Sequence, residues 1–473
     1  LSTAQLEALT SINIKGLGAT AIGSISTAKV SAIQPADISA LSSVQVRGLS
    51  NAQLSTLSTA QITGLNLVNI KGLTTEQVDS LTTNQLAALS PINIIGLSAL
   101  QLGAVSTSKL SALESVDVLA LTSGQIVGFS TQQINAFTTE QLAAINSASF
   151  RALSIAQLGA IATNKVSALE PADIAVIPST AISGLTAEHL SQFLSTQLGA
   201  FTTLTLRGLS SAQLGAFSAA TITGLTTAAV ASLTSEQIPG FTTAQMAQLA
   251  SAQLAAVSSR GIQGLSSQQV ASISNANVVG LESVDIRQLS TVQLGGFTTG
   301  QISAMASAQL LGLDGTQLGS LSTTQLAAVS TANVVGIPAA SLASINTASI
   351  SSIETRDVFA LTAAQVAAFT AGQIARFTTG QLAGLSETNV TGLTSAQIQI
   401  VATADIGAIE TRDFSILSAS QVGYITTAQI LGLTTNQLAS LTPSSIAGLS
   451  SNQLQTISDT RITLSLIHIS EPT

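Results

Sequence analysis

An eight-residue repeat runs through almost the whole chain and constrains its fold more than any other feature. When residues are numbered within octads that start at Leu1, positions 1 and 6 hold a large apolar residue in all 58 octads. No insertion or deletion interrupts this frame over residues 1–463. A fixed period of this kind is typical of repeat architectures, in which each unit buries its apolar face against its neighbours. We therefore expect one continuous octapeptide-repeat solenoid over residues 1–463, with the last octad incomplete.

The polar columns predict a short helix that restarts in every octad. Position 2 is Ser, Thr, Asn or Asp in 44 of the 58 octads, and position 5 is Gln in 30. This is the spacing of a capping box, and positions 1 and 6 then become the two partners of a hydrophobic staple. Position 3 becomes the first helical residue, where proline is favoured. Four prolines occupy that position, namely Pro35, Pro91, Pro171 and Pro443.

Continuous secondary structure does not fit the octad. A continuous strand would place positions 1 and 6 on opposite faces, and a continuous helix would rotate the apolar stripe by about 80° per octad. A β-solenoid remains the alternative, because Thr, Val and Ile are plentiful. Ala and Gln favour helices, so we predict an all-α solenoid. Position 8 is mostly Ala, Gly or Ser, which predicts left-handed glycines at helix ends and a close approach of successive turns.

The last ten residues, 464–473, leave the repeat frame. Their sequence resembles the translation of a transposon-type sequencing adaptor, so we interpret them as a non-native tail. The chain would then be a fragment of a metagenomic type, cut by the end of a sequencing read. A natural non-repeat tail is the alternative. His468 therefore supports no functional argument.

Composition narrows the classes of partner. Only 8% of residues are charged, the net charge is −8, and no basic cluster is present. Nucleic acid is therefore not expected, because its phosphates require Lys and Arg. Despite a mean hydropathy of +0.51, polar residues interrupt every apolar run, so no membrane span is expected. There is no Cys, and no cofactor is expected.

Few residues are candidates for chemistry. His189 occupies position 5, where we interpret it as a substitute for Gln on a polar face, because the 463-residue array holds no second histidine for a triad or metal site. Five octads replace the usual pair with Glu-x-x-Asp, which could offer oxygen ligands to Ca²⁺. These candidate ligands are Glu114, Asp117, Glu170, Asp173, Glu282, Asp285, Glu354, Asp357, Glu410 and Asp413.

A structural interpretation of the acidic octads is favoured over a Ca²⁺ site. Acidic groups in a first helical turn complement the helix dipole. Lys29, Lys109 and Lys165 precede three of six acidic octads (the sixth contains Asp37), which predicts salt bridges between octads. Basic residues at position 7 are expected on a solvent face, namely Lys15, Arg47, Lys71, Arg151, Arg207 and Arg287. The sequence thus predicts no catalytic, cofactor or metal site.

Three octads carry a resemblance to a known class of proteins. Residues 81–88, 225–232 and 377–384 resemble repeats in very large, poorly characterised bacterial surface or secreted proteins. The resemblance implies a bacterial, cell-surface or extracellular protein with an adhesin-like or matrix role, and it transfers no catalytic residue. We expect a non-enzymatic structural scaffold. The alternative is a binding module that presents the Thr and Ser residues of position 3 to a glycan, ice or an unknown protein partner.

Overall fold

Each octad folds into one short helix. The computed structural model describes residues 1–457, and the 57 octads up to residue 456 contain 45 α-helices and 12 3-10 helices. None of these described residues forms a strand. The predicted all-α solenoid is confirmed, and the β-solenoid alternative is not supported.

The chain divides into two compact units, Leu1–Leu233 and the part from Thr234 onward, and each contains helices of the same kind. The single solenoid over residues 1–463 stays a prediction, and the proposed tail 464–473 lies outside the described residues. The α-helices of the first unit are Thr3–Glu7, Ala19–Gly23, Thr27–Val30, Pro35–Ala40, Ser43–Arg47, Asn51–Thr56, Thr59–Ile62, Thr75–Ser80, Thr83–Ala87, Pro91–Gly96, Ala99–Gly103, Ser115–Ala120, Ser123–Ile126, Thr131–Ala136, Thr139–Ala143, Ser147–Phe150, Ile155–Gly159, Pro171–Val176, Ala187–Ser191, Ser195–Leu198, Thr203–Arg207, Ser211–Gly215 and Thr227–Ala231. Its 3-10 helices are Ile14–Gly16, Ile70–Gly72, Thr107–Ala112, Thr163–Ala168, Ile182–Gly184 and Ile222–Gly224.

The second unit repeats this arrangement of one helix per octad. Its α-helices are Thr243–Gln248, Ser251–Ala256, Ser259–Ile262, Ser267–Ser272, Ser283–Gln288, Thr291–Leu294, Thr299–Ala304, Ser307–Leu310, Gly315–Ser320, Thr323–Ala327, Ala339–Leu342, Thr355–Ala360, Ala363–Ala368, Ala371–Ile374, Thr379–Ala383, Ser395–Ile400, Thr411–Phe414, Ala419–Gly423, Thr427–Ile430, Thr435–Ala439, Pro443–Ile446 and Ser451–Thr456. Its 3-10 helices are Ile238–Gly240, Val278–Gly280, Val334–Gly336, Thr347–Ser352, Val390–Gly392 and Ile406–Ala408.

The predicted capping box forms at the helix starts. In the octad of residues 57–64, Ser58 Oγ accepts from the backbone N–H of Gln61 at 3.2 Å, and Gln61 Oε1 accepts from the N–H of Ser58 at 2.9 Å. Each bond satisfies an amide that the first helical turn leaves without a partner. Prolines at position 3 begin their helices, as Pro91 does in Pro91–Gly96.

Helix type follows the residue at position 5. Of the 30 octads with Gln there, 29 form an α-helix, whereas 11 of the 12 octads with a 3-10 helix lack Gln. The exception has Gln237 but also Pro239. Proline has no N–H and cannot donate the bond that would extend an α-turn. The complete capping box therefore favours a full α-turn over the tighter 3-10 geometry.

The two apolar columns form the core. Position 6 is buried in every octad from Leu6 to Leu438, and position 1 is buried in every octad from Ile33 to Leu433 except at Ile353. Phenylalanines of position 1 contact each other edge to face, as Phe129 and Phe137 do with centroids 5.2 Å apart. Such pairs add to the stabilisation that burial provides.

Side chains of position 5 define how the octads stack. Gln61 Nε2 donates to Ile33 O at 2.7 Å and to Val30 O at 3.1 Å. Ile33 begins the third preceding octad, and Val30 belongs to the fourth. Helices also pack on helices three octads away, as Pro91–Gly96 does on Ser115–Ala120. One superhelical turn therefore comprises between three and four octads, a number that the sequence did not provide.

Small residues at position 8 have one of their two predicted roles. Successive turns approach closely there, and a Cβ on Gly48 would overlap with the carbonyl group of Ala19. The predicted left-handed glycines are wrong, because no residue with a positive φ occurs in the described residues. Gly48 caps its helix with a right-handed conformation, φ −71° and ψ −15°. The glycine provides space for the neighbouring turn, and its conformational freedom is not used.

Candidate functional site

The position-5 column is the largest set of buried polar side chains in the described part of the chain, and we take it as the candidate site. Gln85 is typical: it closes the capping box with Thr82, and its Nε2 donates to Leu57 O at 2.7 Å and Leu54 O at 2.8 Å. The backbone–backbone hydrogen bonds recorded outside the helices in residues 1–457 join residues three or four apart. Side chains at position 5 therefore provide the recurring polar link between turns.

Asparagine substitutes for Gln in this link. Asn93 Oδ1 accepts from the N–H of Ser90 at 2.8 Å, and its Nδ2 donates to Leu65 O at 2.6 Å. Asn389 likewise donates to Val358 O at 2.8 Å and Leu361 O at 3.1 Å. An amide group can serve both functions because it has an acceptor and a donor.

Lysines at position 5 take the donor part of the same link. Lys29 Nζ donates to Leu1 O at 3.0 Å, and Lys165 Nζ donates to Phe137 O at 2.6 Å. The salt bridges predicted between these lysines and the following acidic octads are therefore wrong. Lys109 pairs instead with Asp79, four octads earlier, at 3.8 Å. The cause is geometric, since the position-5 side chain points toward the preceding turn.

His189 performs the function of Gln with its imidazole ring. Its Nδ1 accepts from the N–H of Thr186 at 3.0 Å, and its Nε2 lies 2.6 Å from Ile161 O. The Nε2-protonated tautomer satisfies both contacts. The residue replaces Gln as predicted, but it is buried and does not lie on a polar face. Both ring nitrogens are occupied by backbone groups, which leaves neither for catalysis or metal binding.

The acidic octads separate their two carboxylates. Asp117 is buried, whereas Glu114 is exposed at the surface. Asp117 Oδ2 accepts from the N–H of Glu114 at 3.2 Å, so the aspartate takes the acceptor function of Gln. The same arrangement places Asp285 beneath Glu282 at 3.0 Å. Within residues 1–457, no three His, Cys, Asp or Glu side chains are grouped closely enough to hold a metal ion.

The other candidate Ca²⁺ ligands follow this division. Asp173, Asp357 and Asp413 are buried, Glu170 and Glu410 are exposed, and Glu354 is half-buried. Arg356 pairs with Glu354 within its own octad. Arg412 Nε contacts Glu387 at 2.7 Å and Asp413 at 3.7 Å. The structure brings each pair to one helix start without adding further oxygen ligands from side chains.

A hydroxyl group 26 residues earlier determines whether a buried aspartate has a second partner. Ser147 Oγ donates to Asp173 Oδ1 at 2.8 Å, and Thr331 Oγ1 donates to Asp357 Oδ1 at 2.5 Å. Ser259 lies in the same relation to Asp285 at 3.5 Å. These hydroxyl groups occupy position 3 of the third preceding octad. The octad pattern thus supplies a donor wherever that position is Ser or Thr in these three cases.

Two aspartates have no such donor. Residue 26 before Asp117 is Pro91, and residue 26 before Asp413 is Glu387. Asp117 Oδ1 and both carboxylate oxygens of Asp413 are buried without a hydrogen-bond partner. Asp37 also has an unpaired Oδ2, although Ser11 lies 26 residues before it. Burying a carboxylate without compensation is costly and favours its protonated form.

Burial changes the ionisation of these aspartates. Desolvation raises the pKa of Asp117 to about 6, and the charge of Glu114 adds to this rise, whereas the N–H of Glu114 opposes it. Desolvation is also the main cause of a raised pKa at Asp173, with the Ser147 hydroxyl opposing it. A protonated carboxyl group can donate a hydrogen bond as the amide of Gln does.

Basic residues at position 7 lie at the surface as predicted, and Arg47 and Lys71 are both exposed. Arg47 Nε donates to Gly72 O of the third following octad at 3.1 Å. None of the helices in residues 1–457 has the length and apolar character to cross a membrane.

Comparison with protein families identifies the repeat. Six segments match the family model described as the ALTTAQ repeat, at residues 30–67, 110–146, 208–243, 278–314, 350–387 and 406–443. A comparison with curated proteins finds no match. Among solved structures, "Structure of APUM23-GGAAUUGACGG" aligns over 100% of this chain and 96% of that chain, at 10% identity and a TM-score of 0.18. So low a score supports no argument about fold or function. The chain is therefore a helical repeat protein that contains six segments of the ALTTAQ repeat family.

Proposed function

We propose that this chain is a non-enzymatic structural scaffold within a large bacterial cell-surface or secreted protein, with an adhesin-stalk or matrix-like role. The occupied position-5 column is the main support. Gln, Asn, Lys and His side chains that could recognise a ligand instead bind the backbone of the preceding turn. A repeat array whose polar groups hold its own turns together is suited to setting a length or a shape.

Octad deletion tests the scaffold proposal. Removing residues 81–88 preserves the sequence offset between every position 5 and the carbonyl groups it binds, so we expect a folded and slightly shorter array. Removing residues 81–84 shifts that offset by four and places position 5 against the wrong groups. Circular dichroism and thermal unfolding should show native-like behaviour for the eight-residue deletion and a large loss for the four-residue deletion. Loss of folding in both deletions would contradict a modular scaffold.

Protease treatment of intact cells tests the proposed location. An antibody against residues 1–457 would follow the protein in the bacterium that carries the gene, before and after external protease. We expect the protein to be digested while a cytoplasmic control protein is spared. Full protection in intact cells, with digestion after lysis, would reject a surface or secreted location.

A repetitive binding face is the second candidate function, and one arrangement of threonines favours it. Thr59, Thr83, Thr107 and Thr131 are exposed at position 3, each three octads after the previous one. Their helices pack in succession, so the hydroxyl groups form a ladder across four turns. Regular spacing of this kind suits a repetitive ligand such as ice or a glycan.

An ice-recrystallisation assay tests this second candidate. We expect the double variant T83K/T107K to lose inhibition of recrystallisation. The control N84K/S108K changes exposed residues next to the ladder and should retain it. If the unmodified protein does not inhibit recrystallisation, and a glycan panel also shows no binding that T83K/T107K abolishes, the ladder has no binding role.

A further inference from the structure

One surface of the first unit has apolar residues where other octads have small or polar ones. Position 4 is aliphatic in four octads spaced three apart, with Val44, Val68, Ile92 and Val116 between 54% and 70% exposed. Their helices, Ser43–Arg47, Ile70–Gly72, Pro91–Gly96 and Ser115–Ala120, pack on each other in that order. The four side chains therefore form a stripe across successive turns, which we call the aliphatic stripe.

The neighbouring position-7 column divides the aliphatic stripe into two halves. Beside Val44 and Val68 it holds the exposed basic residues Arg47 and Lys71. Beside Ile92 and Val116 it holds Ile95 and Leu119, which are 46% and 55% exposed. One half is thus basic and aliphatic, and the other is aliphatic throughout.

Acidic and basic residues mark the two ends of the same surface. The turn after Val116 places Glu140 at position 4, exposed on the helix Thr139–Ala143 that packs on Ser115–Ala120. At the other end, Ile12 is 83% exposed and Lys15 is exposed beside it. The surface therefore begins with a positive charge and finishes with a negative one.

We propose that the aliphatic stripe pairs with the aliphatic stripe of a second copy of this chain, with the two copies antiparallel. An exposed apolar patch of this extent is typical of an interaction surface. A twofold axis between Val68 and Ile92 places Val68 against Ile92 of the other copy and Val44 against Val116. Interfaces related by such an axis are self-complementary.

Charge selects this orientation. In the antiparallel arrangement, the aliphatic stems of Arg47 and Lys71 cover Leu119 and Ile95 of the other copy, with their charged ends toward water. The positive end at Lys15 approaches the negative end at Glu140. A parallel arrangement would instead bring Arg47 and Lys71 near their own equivalents, where like charges repel.

Sedimentation velocity of the complete chain tests the pairing. Between about 1 and 100 µM, the range expected for a small interface, we expect a concentration-dependent monomer–dimer equilibrium. V68K and I92D should each remain monomeric, because each places an unpaired charge in the interface. The matched control V292D changes a valine of the second unit that is 72% exposed at position 4, and it should dimerise normally. Circular dichroism would verify that each variant is folded.

Mixing the two monomeric variants tests the orientation. In an antiparallel heterodimer, the lysine introduced by V68K faces the aspartate introduced by I92D at one contact. At the other contact the unchanged Val68 and Ile92 face each other, so dimers should reappear on mixing. A parallel dimer has no such pairing, and mixing would not restore it. A monomer at every concentration, dimerisation unaffected by V68K and I92D, or binding of the monomer to anionic lipid vesicles through this surface would overturn the proposal.

Discussion

At the scale of the residue, the choice of Gln at position 5 needs two explanations. A capping box accepts Glu as readily as Gln, yet none of the 58 octads has Glu at that position. The capping box uses only the acceptor oxygen, whereas the link between turns uses the donor Nε2. A carboxylate would retain the first function and lose the second. The absence of Glu was visible in the sequence and could have indicated a buried acceptor facing this column.

Replacing Gln by Glu at two sites separates these functions. Gln5 makes only the capping box with Ser2, whereas Gln61 also donates to the preceding turn. We expect Q61E to lower the free energy of unfolding by about 2–3 kcal/mol at pH 7, because two carbonyl groups then face a buried carboxylate. Q5E should change it by less than about 0.5 kcal/mol.

Urea denaturation would measure both variants. The loss in Q61E should shrink as the pH falls, since the introduced carboxyl group can donate once it is protonated. Equal effects of Q61E and Q5E would show that the contact between turns contributes nothing.

Replacing Asp117 by Asn should stabilise the protein at neutral pH. The pKa of Asp117 is raised from 3.8 to about 6, so its stabilising, protonated form is complete below the unfolded value and is lost as the pH rises to about 6. Asn is neutral and can donate, as Asn93 does. We expect D117N to gain about 1–2 kcal/mol at pH 7, with the gain vanishing near pH 4.

The matched control for D117N is D173N, because Asp173 already has a partner in Ser147. Its gain at pH 7 should be smaller than that of D117N. Chemical denaturation of both variants at pH 4, 5, 6 and 7 would measure the difference. A larger gain for D173N would contradict the dependence on a hydroxyl group 26 residues earlier.

At the scale of the element, sequence reasoning succeeded where an interaction lies within one octad. The helix starts, the capping box and the buried columns follow from residues at most a few positions apart, such as Ser58 and Gln61. It failed where the answer depends on the preceding turn. The position-5 lysines were assigned salt bridges and position-8 glycines were assigned left-handed conformations, because the offset of 28 residues between Gln61 and Ile33 cannot be read from one octad.

Two neighbouring glycines distinguish close approach from conformational freedom. A Cβ on Gly128 would lie 2.7 Å from Ala99 Cβ, whereas a Cβ on Gly124 would meet only Thr122 Oγ1 at 4.0 Å. We expect G128A to destabilise the protein by about 1–3 kcal/mol through overpacking. G124A lies within the helix Ser123–Ile126 and should stabilise it by about 0.5–1 kcal/mol. Thermal unfolding measures both, and stabilisation by G128A would show that the turns do not approach closely there.

At the scale of the whole molecule, stability arises from contacts between octads three or four apart. Each octad has two buried apolar side chains, and two such side chains contribute about 3–6 kcal/mol, which is less than the cost of about 12 kcal/mol for ordering eight residues. Neighbouring turns supply the difference, through burial and through the side chains of position 5. Stability in such arrays is approximately a sum of unit and neighbour terms. The buried columns were predictable from the sequence, whereas the number of octads per turn was not, because it depends on how helices of this length pack.

Cross-linking of introduced cysteines tests the stacking period most directly, because the chain has no cysteine of its own. Gln263 Nε2 donates to Gln288 Oε1 at 2.9 Å on the exposed surface, 25 residues along the chain. With a short thiol cross-linker in dilute solution, Q263C/Q288C should form an intramolecular link that mass spectrometry detects. The control Q263C/A276C pairs exposed positions only 13 residues apart in octads that do not stack, and it should not link. Efficient linking of the control with none in Q263C/Q288C would contradict a superhelical turn of three to four octads.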